Sequence, residues 1–207
     1  MTRPLMFALV PLVFMVVGCT KVPTDRIASA EQAISEARAA GAPTYLAERY
    51  AKLEGMLTTA KHQIATQEAK FVLLRDYSQA EELLESIQMD ATRVTAEAER
   101  KREEAKAAAL QAQRVAQASV KATQELLAKA LVGDNRAALI ALKVDADGLT
   151  ASLAEVQSAV DTDDYQGAHV KAGAIAQKSE TLAADVRTAL AATVAAKSQK
   201  RKASRTK

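Results

Sequence analysis

The most reactive side chain in this sequence is a single cysteine thiol near the start. Cys19 is the only cysteine among 207 residues, so the chain cannot form an internal disulfide. It follows one positive charge at Arg3 and 13 uncharged residues, Leu5–Val17. That run is short for a membrane-spanning helix, which needs about 20 apolar residues. A basic start, a short apolar run and a small residue, Gly18, predict a secretory signal peptide over residues 1–18.

The residues around the predicted cleavage point resemble a bacterial lipobox, Val16-Val17-Gly18-Cys19. The resemblance implies cleavage before Cys19, whose thiol then takes a diacylglyceryl group and whose new amine takes a fatty acid such as palmitate. Two or more acyl chains anchor a protein stably, whereas one chain anchors it marginally. Thr20 stands where Asp would resemble an inner-membrane retention signal, which favours the periplasm-facing side of the outer membrane. The alternative is a buried cysteine in an N-terminal apolar helix.

The remaining polar residues match no catalytic or metal-binding pattern. His62 and His169 have no neighbouring residues at metal-ligand spacing, so both are predicted to lie on the surface. The chain has no G-x-S-x-G motif and no glycine-rich phosphate loop. We therefore predict no enzymatic activity, no catalytic residues, no metal and no cofactor beyond the lipid on Cys19.

Three aspartates, Asp161, Asp163 and Asp164, form an acidic turn that could hold Ca²⁺. A calcium loop needs a ligand at its third polar position and Glu at its twelfth residue. Here Tyr165 and Ala172 occupy those positions. The turn is predicted to start a helix instead.

A basic segment closes the chain and carries six positive charges with no acidic residue. The charged residues are Lys197, Lys200, Arg201, Lys202, Arg205 and Lys207. Residues 19–196 hold 21 basic and 25 acidic residues, so this body is mildly acidic. We predict that residues 197–207 are a disordered tail, either solubilising or docking to an anionic envelope polymer such as peptidoglycan. Export argues against nucleic acid as a partner.

Composition and periodicity predict the elements that position these residues. Much of the 49% hydrophobic content is alanine, while Gly and Pro are scarce, which is typical of long helices. Apolar residues recur at alternating spacings of three and four in several heptad stripes. The first contains Leu46, Tyr50, Leu53, Leu57, Ala60, Ile64, Gln67, Phe71 and Leu74, and the second contains Leu73, Tyr77, Ala80, Leu84, Ile87, Ala91, Val94 and Ala98, continuing to Leu126.

The predicted fold is all-α, with elongated antiparallel helical hairpins in a coiled-coil-like bundle. A lipidated leader over 19–25 precedes a hairpin region at 26–132. Thr24 or Asp25, at the end of the leader, is predicted to cap the first helix of that region. A tight turn near Arg75–Asp76 precedes one very long helix, from about Tyr77 to Val132. Gly133–Asn135 separates that helix from a second hairpin at 136–196.

The two hairpins share a short pattern at their turns. Asp76-Tyr77-x-x-Ala80 matches Asp164-Tyr165-x-x-Ala168, and apolar residues follow each at the same spacing. This match predicts two diverged copies of one helical unit.

Residues 27–104 resemble an uncharacterised family of bacterial lipoproteins with alanine-rich helices. The matching residues are Ala30, Ala33, Ile34 and Ala37, then GAPTY at 41–45, Leu53, Ala60, and DYSQA at 76–80. The resemblance implies an envelope lipoprotein without known catalysis and carries no site residues across. The predicted function is a periplasmic helical spacer or scaffold on the outer membrane. The alternative is a helical-repeat adaptor that binds a specific protein partner, or itself, in an envelope secretion, efflux or assembly complex.

Overall fold

The computed structural model describes residues 21–130 and 136–205, although the side chains of 136–138, 193, 196, 197 and 200–205 fall outside the described set. These residues contain six α-helices, one short 3₁₀ helix and no strand. The helices are α1 (Thr24–Ala39), α2 (Ala42–Tyr45), α3 (Ala47–Glu68), α4 (Ser78–Ala130), α5 (Arg136–Asp161) and α6 (Tyr165–Arg205), with the 3₁₀ helix at Val72–Leu74.

The predicted all-α class is confirmed, and so is the very long helix. Helix α4 has 53 residues, which at 1.5 Å per residue gives a length of about 80 Å. The chain divides into two compact units, Met1–Thr95 and Ala96–Lys207. The boundary between them falls inside α4.

In the first unit, α1 and α3 run antiparallel. Lys61 on α3 pairs with Glu31 on α1 at 2.6 Å, and Arg38 on α1 pairs with Glu54 on α3 at 3.0 Å. Later residues of α1 therefore meet earlier residues of α3. The core comes from α1, α3, the first part of α4 and the residue before it, and contains Ala30, Ile34, Ala37, Tyr50, Leu53, Ala60, Ile64, Tyr77, Ala80, Leu84, Ile87, Ala91 and Val94.

The turn between α1 and α3 uses backbone geometry more than side-chain caps. Gly41 has a φ of 91°, a left-handed conformation that glycine adopts without steric cost. The predicted cap of the first helix is wrong. Pro23 precedes α1, Thr24 and Asp25 lie inside it, and no side chain caps its start. Proline fits this place because the first amides of a helix have no intrahelical partner.

The connection between α3 and α4 is longer than the predicted tight turn. Helix α3 ends at Glu68 and α4 begins at Ser78. Arg75 donates from Nη2 to the Glu68 carbonyl at 2.7 Å and from Nε to the Lys70 carbonyl at 3.1 Å. These bonds satisfy the carbonyl of Glu68, the last residue of α3, and the carbonyl of Lys70 just after it. The predicted heptad stripe therefore stops before Phe71 and Leu74.

The second unit packs the later part of α4 against α5 and α6. Gln113 bonds Gln157 at 2.8 Å and Gln124 bonds Thr150 at 2.8 Å, so α4 and α5 are antiparallel. A turn at residues 162–164 reverses the chain into α6. Buried residues that pack together include Ala109, Ala116, Val120, Leu127, Leu139, Ala146, Leu149, Val156, Tyr165, Ala168, Ala172, Ile175, Leu182 and Val186.

The predicted apolar stripe of α4 is correct for its first part and wrong by one residue for its second part. Every predicted position from Tyr77 to Ala98 is buried. Beyond Ala98 the buried positions include Ala109, Gln113, Ala116, Val120, Thr123 and Leu127, each one residue after the predicted position. Burial keeps heptad spacing up to Ala98 and again from Ala109, so the change is a single 11-residue step between these two residues, just after the boundary of the two units. A step of this length interrupts a heptad repeat and moves the buried positions by one residue.

The basic segment was predicted to be disordered, and this is wrong for Lys197–Arg205, which continue α6. Alanine, lysine, arginine and glutamine are all good helix formers. Positive residues in the last turn also interact favourably with the helix dipole. Helical structure therefore persists here without an apolar stripe. The predicted cap at Gly133–Asn135 lies outside the described residues.

Candidate functional site

The predicted lipidation motif, Val16, Val17, Gly18 and Cys19, lies outside the described residues. The residues that follow it are already part of the first unit. Pro23 is buried and Val22 is half-buried, and the amide of Thr24 donates to the Val22 carbonyl at 2.8 Å. Because α1 begins at Thr24, only four residues separate Cys19 from the first helix.

The register of α1 against α3 shows which part of the first unit lies beside this leader. The pair Glu31–Lys61 lies earlier on α1 and later on α3 than the pair Arg38–Glu54, by the same number of residues on each helix. Continued to the start of α1, this register points Thr24 toward the end of α3. Arg26 also pairs with Glu85 at 3.6 Å, and its carbonyl accepts from Gln88 Nε2 at 3.5 Å, so the start of α1 lies beside residues 7–10 positions after Ser78, where α4 begins. The start of α1 therefore lies about 10–15 Å from the level at which α4 begins.

The loop between α3 and α4 exposes four consecutive apolar side chains. Phe71, Leu73 and Leu74 are 70–71% exposed, and Val72 is 51% exposed. Sequence reasoning missed this feature because Phe71 and Leu74 continue the heptad spacing of α3. The signal that could have found it is the run of four apolar residues between Lys70 and Arg75, since a heptad stripe does not place neighbouring residues on one face.

The six candidate polymer-binding residues fall in the last part of the chain, where the structure gives only the backbone for most. The helix includes Lys197, Lys200, Arg201, Lys202 and Arg205, while Lys207 lies outside the described residues. Positions 197, 201 and 205 recur every four residues, so they share one side of a continuous helix.

The histidines and the acidic turn have ordinary structural surroundings. His62 and His169 are both exposed, as the sequence predicted. At the turn, Asp161 accepts a bond from Gln157 at 2.8 Å and Asp164 accepts from the Gly167 amide at 3.0 Å. Asp164 therefore caps α6. Within residues 21–130 and 136–205, no group of three His, Cys, Asp or Glu side chains could hold a metal ion.

A charged cluster surrounds the start of α6. The Asp163 carboxylate receives bonds from the Tyr165 hydroxyl and from Arg102 Nη2, the latter at 2.6 Å. The Tyr165 hydroxyl bond and the Arg102 charge lower the pKa of Asp163 below its usual value. The same hydroxyl bond and burial raise the pKa of Tyr165. This cluster holds the turn between α5 and α6 against α4.

A similar cluster lies at the α1–α3 turn of the first unit. Arg38 donates from Nε to the Tyr50 hydroxyl at 2.8 Å and from Nη2 to Glu54 at 3.0 Å. The guanidinium also lies 5.7 Å from the Tyr50 ring centre. Burial raises the pKa of Tyr50, although the Arg38 bond opposes that shift. The bonds fix the start of α3 against the end of α1, and neither cluster contains a free nucleophile.

The depressions on the second unit are shallow and partly open. One, of about 540 Å³, lies between α5 and α6 and is lined by Val144, Leu149, Leu182 and Asp185 among others. Another, of about 340 Å³, lies between α4 and α6 beside Leu126 and Arg187. Both linings mix apolar and charged side chains, with Asp145 and Lys178 beside the first depression and Glu125 and Glu180 beside the second. In the part of the chain that the structure describes, no helix is long and apolar enough to cross a bilayer.

No protein-family model matches the chain, and no curated protein or solved structure is significantly similar to it.

Proposed function

We propose that this protein is a bacterial envelope lipoprotein, anchored through acyl chains on Cys19, whose helices form a spacer or scaffold. The observation that carries the proposal is the pattern Val16-Val17-Gly18-Cys19 after 13 uncharged residues, with the only thiol of the chain at its end. No second cysteine competes for that chemistry. In this proposal the mature protein begins at Cys19 and faces the periplasm from the outer membrane.

The start of α1 supports the anchor. Four residues lie between Cys19 and Thr24, and the last of them, Pro23, is already buried in the first unit. Fully extended, the chain spans at most about 3.6 Å per residue, so the lipidated residue lies within about 18 Å of α1. A lipid on Cys19 would thus hold the first unit next to the bilayer surface.

The interior of the helical units supports a structural role. Many buried positions are alanine, including Ala30, Ala60, Ala91, Ala116 and Ala172. Alanine lets helices approach closely, near the lower end of the 8–10 Å range of interaxial distances. Such packing suits rigid support better than binding of a ligand between helices.

Replacing Cys19 tests the anchor in a bacterial host. The Cys19→Ala variant should lose all incorporation of labelled fatty acid and should retain its signal peptide, because the acceptor thiol is absent. Labelling, mass measurement and membrane fractionation report these changes. Thr20→Asp is the matched control, since it should keep the lipid while moving the protein toward the inner membrane of a Gram-negative host. A labelled, membrane-bound Cys19→Ala protein would refute the proposal.

A further inference from the structure

The exposed apolar loop lies at the end of the first unit that is nearer the lipidated leader. We propose that Phe71, Val72, Leu73 and Leu74 insert into the interfacial layer of the same bilayer that holds the acyl chains of Cys19. The inference rests on the proposed lipid anchor for its location. It adds a second membrane contact and a defined orientation of the first unit at the membrane.

Position is the first argument for this loop as a membrane contact. The α1–α3 ion pairs point the start of α1 toward the end of α3, and the loop follows Glu68. The contacts of Arg26 with Glu85 and Gln88 place that start 7–10 residues along α4 from Ser78, about 10–15 Å from the end of the unit that carries the loop. Because the leader is at most about 18 Å long, an anchored Cys19 brings this end of the unit to the bilayer surface.

The side chains are the second argument. Four neighbouring apolar residues are each more than half exposed, and the group projects from a turn between two helices. Contiguous exposed apolar groups of this kind mark interaction sites. A projecting tip suits a lipid surface, into which amphipathic segments bury their apolar side by about 5–10 Å.

The backbone of the loop is the third argument, because polar groups that enter an apolar layer need internal partners. The Leu74 amide donates to the Phe71 carbonyl at 2.8 Å, and the Arg75 amide donates to the Val72 carbonyl at 3.4 Å. Arg75 also bonds the carbonyls of Glu68 and Lys70. Within the apolar stretch, the Leu74 amide and the carbonyls of Phe71 and Val72 thus have internal partners, which lowers the cost of bringing these groups to the interfacial layer.

The flanking charges fit the depth of such an insertion. Lys70 and Arg75 bracket the four apolar residues, and Asp76 accepts a bond from the Ser78 amide at 2.9 Å at the start of α4. Lysine and arginine near an apolar segment keep their charged groups at the headgroup level. The apolar tip would enter the bilayer while the bracketing cations remain among the phosphates.

The sequence itself supplies a sensitive test, because it contains no tryptophan. Phe71→Trp places a single tryptophan, which can be excited selectively over the tyrosines, at an exposed site. Folding should be preserved, and circular dichroism checks this. The lipidated full-length protein is reconstituted in vesicles of phosphatidylethanolamine and phosphatidylglycerol. We expect the emission to shift to shorter wavelength and to be quenched by brominated acyl chains.

Ala47→Trp is the matched control in the same unit. Ala47 is exposed and begins α3, at the opposite end of that helix from Glu68. The 22 residues of α3 extend about 33 Å, so an indole at position 47 should remain in water and should not be quenched by brominated lipid.

The outcomes separate this inference from the lipid anchor. Fatty acid on Cys19 together with a water-exposed indole in Phe71→Trp would overturn the loop inference and leave the anchor intact. An unmodified Cys19 would overturn the anchor, and an emission shift of Phe71→Trp on added vesicles would then still support the loop. An emission shift that depends on protein concentration without vesicles would show that a second copy covers the loop, and would overturn membrane insertion.

Discussion

Asp163 combines an unusual backbone conformation with two charged or polar partners. Its φ of 61° lies in the left-handed region, which aspartate and asparagine tolerate better than most residues. Its carboxylate meets Tyr165 and Arg102, and these partners lower its pKa. Asp163 therefore adopts the backbone conformation of the turn after α5 and also bonds that turn to Arg102 of α4.

The lowered pKa predicts a pH-dependent contribution to stability. The folded state favours the charged carboxylate, so the contribution is present above the unfolded pKa of about 3.9 and disappears as the pH falls through the folded pKa. Asp163→Asn keeps the turn preference but removes the charge. We expect a lower Tm than wild type at neutral pH, and convergence of the two proteins only as the pH falls below the usual aspartate pKa and through the lower pKa of the folded state.

Thermal unfolding followed by circular dichroism at several pH values checks this expectation. Asp145→Asn, at an exposed position of α5, is the matched control and should change the Tm less at neutral pH. Some pH dependence should persist in Asp163→Asn, because the bond from the Ser78 amide also lowers the pKa of Asp76. A Tm difference between wild type and Asp163→Asn that stays constant with pH would contradict the assignment.

At the scale of elements, α4 and α6 meet through a buried pair of hydroxyl groups. Thr123 Oγ1 lies 2.9 Å from Ser179 Oγ, and it also lies within bonding distance of the Ser119 and Ser179 carbonyls. Both residues are at most 2% exposed. Apolar stripes of similar alanines could slide past one another, whereas a buried polar pair is satisfied in one register only.

Removing one hydroxyl should therefore destabilise the second unit. Thr123→Val keeps the shape but takes a partner from Ser179, and a buried group left unsatisfied costs about 1–3 kcal/mol. We expect the free energy of unfolding, measured by urea denaturation, to fall by about 1 kcal/mol or more.

Thr188→Val provides the control for helix propensity. Thr188 is an exposed residue of α6 that bonds only the Ala184 carbonyl of its own helix among the contacts described, so its loss should cost less than about 0.5 kcal/mol. The double variant Thr123→Val/Ser179→Ala should cost less than the sum of the single changes, because it leaves no hydroxyl unpaired. Equal effects of Thr123→Val and Thr188→Val would show that the buried pair contributes nothing specific.

At the scale of the whole molecule, the predicted lipid and the basic segment occupy opposite ends of the sequence. The proposed anchor is at Cys19, and the basic residues occupy the end of α6 and the residues after it. Beside the proposed anchor, we propose that the basic residues dock to an anionic envelope polymer such as peptidoglycan. The helical backbone through Arg205 gives the basic residues a regular spacing that a disordered tail would lack.

Deleting residues 197–207 should weaken binding to purified peptidoglycan, measured by pull-down at increasing salt. Binding of the intact protein should decrease with salt, because exposed charges are screened beyond about 8 Å at physiological ionic strength. A variant with all six basic residues changed to Gln keeps the length of the segment and serves as the matched control. If that variant binds as well as wild type, electrostatic docking is refuted.

Much of this fold could be predicted from the spacing of apolar residues. The stripes from Tyr50 to Ile64, from Tyr77 to Ala98 and from Tyr165 to Val186 are buried or half-buried as their periodicity indicates. The matched segments after Asp76 and Asp164 also bury equivalent positions. Periodicity succeeded here because a helix face packed against neighbours must be apolar along its length.

The remaining features depended on contacts that spacing does not encode. The Arg75 bonds that close α3 join residues across a loop, and the one-residue change in the buried positions of α4 falls between Ala98 and Ala109, just after the boundary of the two units. The sequence by itself determined the helical class, the long helix and the thiol pattern at Cys19, because these follow from composition, periodicity and local motifs. Only the tertiary structure decided that the apolar loop at Phe71–Leu74 is exposed near the leader, since the contacts of α1 with α3 and α4 bring distant parts of the chain together.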